Sequence, residues 1–186
     1  MQTLGRRVMR LSGALLLCLC LDVLVRDASA QTCTPAPSGL VAWWPGDGNA
    51  QDIAGGNNGT MQNGATFATG MVTQAFSLDG VDDEVSIPDA AALRVTGAIT
   101  IATWIKYATC NHIFGWCAVI TKSPDGQAVN WNYGLIVNRT TGQMNFTNGN
   151  GSSWFSQYAG PNIKDNTWHH VAATYGSGSV KYYVDG

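Results

Sequence analysis

A loop at residues 45–60 carries the groups of this chain that are best suited to hold a cation. Its sequence, PGDGNAQDIAGGNNGT, supplies carboxylate, amide and backbone carbonyl oxygens, and its glycines let carbonyls converge without side-chain clashes. Calcium takes about six to eight oxygen ligands, so the composition indicates a cation site. The alternative is that the Asp and Asn side chains form Asx-turns with their own backbone, which requires no ion.

Aromatic side chains near predicted loops could bind sugars, because a pyranose ring stacks its C–H face on an indole or phenol ring and its hydroxyls pair with Asn and Asp. The candidates are Trp116, Trp131, Tyr133, Trp154 and Tyr158. Trp131 and Trp154 lead this set, since they flank segments rich in Asn, Gly and Ser. The alternative is that the aromatic residues fill the core and its rim. That is the role we expect for Trp44, Trp104 and Trp168.

Two adjacent histidines, His169 and His170, could act in proton transfer, but their setting favours a structural role. Neighbouring residues of a strand point to opposite faces, so only one of the two can face the core. No serine or cysteine of the sequence lies in a recognisable nucleophile motif. We therefore expect a core-facing histidine that is hydrogen-bonded to the backbone.

Residues 1–30 have the three parts of a secretory signal peptide. Three arginines precede an apolar run at residues 11–21, and the small residues at 28–30 form a cleavage site. A membrane span needs about 20 apolar residues, so we expect export and cleavage rather than a retained anchor. No other stretch of the sequence could cross a membrane, and residues 31–38 have the composition of a linker.

The charge of the remaining chain argues against nucleic acid as a partner. Six basic and ten acidic residues follow residue 30, which gives a net charge of −4. The basic residues are singly scattered, whereas nucleic-acid binding needs clustered cations. The 156 residues that remain are enough for one domain with a sizeable core.

Cys110 and Cys117 are the natural disulfide pair of an exported chain. They lie between two predicted strands, so their bond would close the neck of a hairpin, with roughly 2.5 kcal/mol of stabilisation for so short a loop. A zinc site formed with His112 is the weaker alternative, because the spacing matches no common zinc motif. Cys33 pairs outside this chain or stays free.

Short alternating segments separated by Gly, Asn and Asp dominate the rest of the chain and predict an all-β fold. The predicted strands are 40–44, 74–78, 84–87, 99–105, 118–121, 132–137, 143–147, 167–175 and 180–184. The first is apolar on both faces, which predicts an interior strand. Asp79-Gly80 predicts a turn that joins 74–78 to 84–87, and 89–93 predict a helical turn. Many short strands without crossover helices favour a jelly-roll sandwich.

Five blocks of the sequence resemble the concanavalin A-like, laminin G-like jelly rolls of secreted bacterial proteins. They are LVAWWP at 40–45, Asp52 with GGNNGT at 55–60, AFSLDGVDDEV at 75–85, ITIATW at 99–104 and WHHVAAT at 168–174. The resemblance implies an antiparallel jelly-roll β-sandwich at residues 39–186. Such domains usually continue with further strands after the turn at 182–186, so it also implies a C-terminally truncated domain of a larger multidomain protein.

The resemblance also implies a calcium site. In similar domains the aspartate that follows the first strand often coordinates calcium, together with nearby carbonyls, Asn side chains and an acidic residue of the final strands. This implies Asp52 as the ligand and Asn57 as its helper. The remaining acidic cluster is Asp82, Asp83 and Glu84, for which a solvated turn is the alternative to a second ion.

A glycoside hydrolase is the rival interpretation, because glucanases of the laminarinase type share this fold. Retaining hydrolysis needs two carboxyl groups about 5 Å apart, and those enzymes place two glutamates around an aspartate on one strand. This chain has one glutamate, Glu84, with Asp82 two residues before it. An inverting pair of aspartates stays open, but we expect no enzyme activity.

The fold by itself does not fix a function. Its members bind glycans, bind proteins or space other modules. We expect a secreted or cell-surface recognition or adhesion module that binds carbohydrate and holds a structural calcium ion. The alternative is a protein-interaction or spacer module without a sugar site, whose partner would be an extracellular protein.

Overall fold

Antiparallel β-strands are the main regular structure of the chain in the computed structural model, which describes residues 35–111, 115–122, 132–149 and 154–186. The side chains of residues 154 and 155 are outside this description. Pro37–Gly186 form one compact unit. The predicted signal segment and Cys33 lie outside the described residues. Within the described ranges, no helix is long and apolar enough to span a membrane.

The described residues form eleven strands and one short 3-10 turn at Ala91–Leu93. The strands are β1 (Thr60–Gln62), β2 (Thr66–Thr69), β3 (Gln74–Ser77), β4 (Glu84–Ser86), β5 (Ile99–Lys106), β6 (Trp116–Lys122), β7 (Tyr133–Asn138), β8 (Met144–Gly149), β9 (Trp154–Ala159), β10 (Trp168–Gly176) and β11 (Ser179–Val184). The predicted all-β fold and eight of the nine predicted strands are confirmed. β1, β2 and β9 were not predicted.

The strands form two larger sheets and two small ones, and all neighbouring strands within them are antiparallel. A three-stranded sheet has the order β11-β10-β5, and a four-stranded sheet has the order β6-β7-β8-β9. The small sheets pair β1 with β4 and β2 with β3. Residues 79–83 therefore join β3 to β4, as predicted, but the two strands do not pair with each other. Residues 79–83 form a closed loop, in which Asp79 N donates to Asp83 Oδ2 at 2.9 Å. β4 follows this loop along the chain and pairs with β1.

The two larger sheets share one hydrophobic core, which makes the fold a concanavalin A-like β-sandwich. The inward positions of both sheets are buried: Ile101, Val171 and Ala173 on one side, Leu135, Val137, Met144 and Phe146 on the other. Phe146 of β8 stacks on Tyr175 of β10, with ring centroids 5.5 Å apart. Burying one such large apolar side chain contributes about 1.5–3 kcal/mol, so this layer holds the sheets together.

The hydroxyl of Tyr182 links the two larger sheets by bonding to backbone groups of the four-stranded sheet. Tyr182 lies on the inward side of β11, opposite Ala173. Its hydroxyl accepts from Phe146 N at 2.7 Å and donates to the carbonyl of Gln157. Phe146 and Gln157 are direct partners across β8 and β9. The hydroxyl therefore lies within the ladder of the four-stranded sheet and ties it to β11.

The prediction of an interior strand at 40–44 is wrong. These residues form no strand and join no ladder among the described strands, and Trp43 is 50% exposed. The backbone of Trp43 bonds instead to the loop that follows, since its N–H donates to the Asp52 carboxylate and its carbonyl accepts from Ile53 N. Hydrophobicity on both faces indicated burial, but these hydrogen bonds leave the segment on the surface.

Candidate functional site

Asp52 lies at the centre of the loop at residues 45–60 and is 6% exposed. Its Oδ1 accepts from the backbone N–H groups of Trp43, Ala54 and Gly55 at 2.8–3.0 Å. Its Oδ2 accepts from Asn57 N at 2.9 Å and from Asn57 Nδ2 at 3.0 Å. Five donors thus converge on one carboxylate, which has about four lone-pair sites.

The surroundings of Asp52 stabilise its charged form without an ion. Burial alone would raise the pKa of Asp52, but the donors from Trp43, Gly55 and Asn57 outweigh it and hold the pKa far below its usual range. A side chain at position 55 would lie 2.9 Å from Asp52 Oδ2 and 2.2 Å from Val41 O, which explains the glycine there. The structure brings Asp52 and Asn57 together, but as acceptor and donor, in line with the Asx-type alternative.

A second acidic group lies in the loop between β3 and β4. One carboxylate oxygen from each of Asp79, Asp82 and Asp83 lies within 4.8 Å of the others. Asp79 Oδ1 accepts from Val81 N at 2.8 Å, and this hydrogen bond lowers the pKa of Asp79. Glu84, the third member of the cluster expected from sequence, begins β4 and is exposed. Asp79 replaces it in the geometry, because the turn folds Asp79 back onto Asp83.

The Cys110–Cys117 disulfide supports this acidic loop. The bond is present, with Cα atoms 6.2 Å apart. A Cβ atom at Gly80 would lie 3.0 Å from the Cα of Cys110, and Gly80 O accepts from Asn111 N at 2.8 Å. The disulfide is confirmed, but its place at a hairpin neck is wrong, because β5 and β6 belong to different sheets. His112, the third member of the zinc alternative, lies outside the described residues.

The predicted sugar-binding aromatics fall into different settings. Tyr133 is 6% exposed and its hydroxyl donates to Leu93 O at 3.0 Å, so its ring is buried rather than accessible to a sugar. Trp116 lies half-buried in β6. Trp131 lies outside the described residues, and Trp154 is described by its backbone, as the first residue of β9. Tyr158, also in β9, is 46% exposed.

Tyr158 stands beside a polar pair on the outward face of the four-stranded sheet. Its direct partner on β8 is Asn145, which is fully buried. The Asn145 amide holds the exposed hydroxyl of Ser156, with Nδ2 2.9 Å and Oδ1 3.2 Å from Oγ. Trp154 occupies the same alternate positions of β9 as Ser156 and Tyr158. We call the surface of Tyr158 and Ser156 the β9 face; it offers a phenol ring beside a fixed hydroxyl.

A second exposed aromatic surface lies on the three-stranded sheet. Trp104 was expected in the core but is 44% exposed, and Tyr183 is 43% exposed. Trp104 lies opposite His170, and their rings meet edge to face at a centroid distance of 5.3 Å. The alternation in β5, where residues 99, 101 and 105 face the core, places Trp104 on the opposite face of the strand.

His169 has carboxylate partners at both ring nitrogens. Nδ1 lies 2.8 Å from Asp185 Oδ2, and Nε2 lies 3.2 Å from Asp165. The hydrogen bond with Asp185 is the main reason why the pKa of His169 is raised. The expectation that the histidine bonds to the backbone is therefore wrong, because the partners of its ring are two carboxylates. The contacts tie the start of β10 to the end of β11, where Asp185 also accepts from His170 N.

Comparison with known proteins places the sequence in a fold family. A laminin G family model, described as the concanavalin A-like lectin/glucanases superfamily, matches residues 79–186. No curated protein matches the chain. The matched range begins at the acidic loop and includes β4 to β11, and therefore both larger sheets.

Proposed function

Because the chain belongs to the concanavalin A-like lectin/glucanases superfamily, we propose that it is a non-catalytic, secreted recognition module that binds carbohydrate. The observation that carries the proposal is the β9 face. An exposed Tyr158 ring lies beside a Ser156 hydroxyl that a buried amide holds in place. Carbohydrate sites need such a pairing, because a sugar presents an apolar C–H face and directional hydroxyls together.

The charges of the acidic loop support a non-catalytic role. Its carboxylates are close enough for a retaining glycosidase, whose two carboxyl groups lie about 5 Å apart. Such an enzyme also needs one carboxyl group that keeps its proton until catalysis, which requires a raised pKa. Asp79 has a lowered pKa and is exposed. Asp79 therefore does not have the properties of the buried acid of a hydrolase.

Calcium binding is part of the proposal, at the acidic loop rather than at Asp52. The carboxylate of Asp52 already accepts five hydrogen bonds, which an ion would have to displace. Asp79, Asp82 and Asp83 offer clustered oxygens, the donor type that calcium prefers. Calorimetric titration with calcium should give binding that Asp82→Asn abolishes and Asp47→Asn, an exposed control, leaves unchanged. Equal binding by both variants would exclude this loop.

Glycan-array screening followed by titration tests the sugar site. We expect the folded chain to bind at least one glycan, with about tenfold weaker affinity in Tyr158→Ala. Trp43→Ala is the matched control, since Trp43 is similarly exposed but its backbone bonds to Asp52 and Ile53 rather than to β9. Equal loss in both variants would contradict a site at the β9 face.

An exposed apolar segment favours a protein-interaction module as the second candidate. Leu40, Val41 and Trp43 are all exposed, in a stretch that has no ladder partner among the described strands. Segments of this kind can pair with a partner strand. A folded chain that gives no glycan signal, but binds an extracellular protein in a manner lost in Trp43→Ala, would favour this candidate over the first.

A further inference from the structure

We propose that the outward face of the three-stranded sheet is a second binding site, for a linear uronic-acid polysaccharide. This surface is separate from the β9 face, which lies on the other sheet. It consists of five outward residues in a diagonal stripe: Lys106, Trp104, Ala172, Tyr183 and Lys181. We call it the stripe.

The strand register defines the order of the stripe. Lys106 and Trp104 are alternate residues of β5, and Tyr183 and Lys181 are alternate residues of β11. Ala172 of β10 lies between the two strands and is the direct partner of Tyr183. With strands about 4.8 Å apart and a rise of about 3.4 Å per residue, Trp104 and Tyr183 are roughly 12 Å apart and the two lysines roughly 22 Å apart. The stripe therefore has the length of a short run of linked sugar rings.

Ala172 and His170, alternate residues of β10, lie between the two rings. Ala102 and Ala172 are direct partners there, and neither carries a side chain that could block a ligand. Trp104 is held on one side by its edge-to-face contact with His170, and Tyr183 rises on the other side with 43% exposure. The rings of Trp104 and Tyr183, with Ala172 and His170 of β10 between their strands, provide stacking positions for a flat polymer.

The charges on this face select an anionic ligand. Lys106 and Lys181 are exposed and form no ion pair or hydrogen bond with any described residue. The carboxylate of Asp185, which follows β11, is occupied by His169 and by His170 N. The stripe thus offers one unpaired cation at each end and apolar stacking between them.

The spacing of the two lysines favours a uronic-acid chain over a densely sulfated one. Densely charged polymers are bound by clustered cations that release many counterions, whereas these lysines stand roughly 22 Å apart. One carboxylate per sugar ring matches two isolated cations with stacking surfaces between them.

Affinity electrophoresis and calorimetry of the full chain with polygalacturonate test the stripe. We expect measurable binding of polygalacturonate and much weaker binding of its fully methyl-esterified form, which keeps the rings and loses the charge. Trp104→Ala should bind about tenfold more weakly, and Lys106→Ala and Lys181→Ala about threefold more weakly each. Tyr158→Ala should bind like the unmodified chain.

Several outcomes would overturn the proposal. They are no binding of polygalacturonate, equal binding of the methyl ester, tighter binding of dextran sulfate, or a loss of affinity in Tyr158→Ala that matches the loss in Trp104→Ala. Because Trp104→Ala could disturb β5, Tyr183→Ala and the charge reversal Lys181→Glu serve as second variants at exposed positions, and their unfolding temperatures show that the fold is kept. Normal polygalacturonate affinity in both would also contradict the stripe. Failure of the Tyr158 glycan site leaves these results unaffected.

Discussion

Replacing Tyr182 by phenylalanine should destabilise the sandwich by about 2–3 kcal/mol. The substitution keeps the ring and removes the hydroxyl that accepts from Phe146 N and donates to Gln157 O. Each hydrogen bond contributes about 1 kcal/mol net, and a buried N–H left without an acceptor costs about 1–3 kcal/mol. Phe146 is fully buried, so water cannot readily replace the lost acceptor.

Urea unfolding at neutral pH, followed by tryptophan fluorescence, measures this loss directly. For a domain of about 150 residues it corresponds to a fall in unfolding temperature of about 4–12 °C. Tyr183→Phe is the matched control, because its exposed hydroxyl contacts no described residue, and a surface change of this kind stays within about 0.5 kcal/mol. A loss below 0.5 kcal/mol in Tyr182→Phe would refute the reasoning, since it would mean that Phe146 N closes directly onto Gln157 O.

Three further predictions follow from individual groups. The lowered pKa of Asp52 means that its contribution to stability is complete above the unfolded-state pKa of about 3.9 and is lost as the pH falls towards the folded-state pKa. Acid unfolding curves should show this loss. Asp52→Asn should flatten the curves and lower the free energy of unfolding by about 3 kcal/mol. The raised pKa of His169 means that its contribution to stability is complete below the unfolded-state pKa of about 6.5 and is lost as the pH rises through the folded-state pKa. Stability should therefore fall across this pH range in the unmodified chain and not in His169→Gln. Reduction of the Cys110–Cys117 bond should lower the free energy of unfolding by roughly 2–3 kcal/mol, and an unchanged denaturation midpoint after reduction would contradict it.

The fold could be predicted from the sequence wherever alternation was long enough to define a strand. β5 and β10 have eight and nine residues, and their inward positions were visible as alternating apolar residues. β1 and β2 have three and four residues, too few for a period to emerge. β9 was missed because it lies next to a segment rich in Gly, Asn and Ser, whose composition predicted a loop.

The sites were harder to predict, because exposure depends on the other elements that pack on a residue. Tyr133 was grouped with loop aromatics, but a hydrogen bond to Leu93, 40 residues away, fixes it in the core. Trp104 was assigned to the core, yet the outward side of its sheet stays open. For Asp52, composition gave the correct residue but not its role, since the donors that fill its carboxylate include Trp43 from a segment predicted as a strand.

Two-dimensional NMR of the isotope-labelled chain, titrated with the glycan that binds best, tests carbohydrate recognition most directly. The account predicts saturable chemical-shift changes that centre on Tyr158, Ser156 and their partners on β8. A uronic-acid oligosaccharide should instead shift Trp104 and Tyr183. Changes confined to residues 40–43, or no change with any sugar in a chain whose spectrum is that of a folded β-protein, would contradict it.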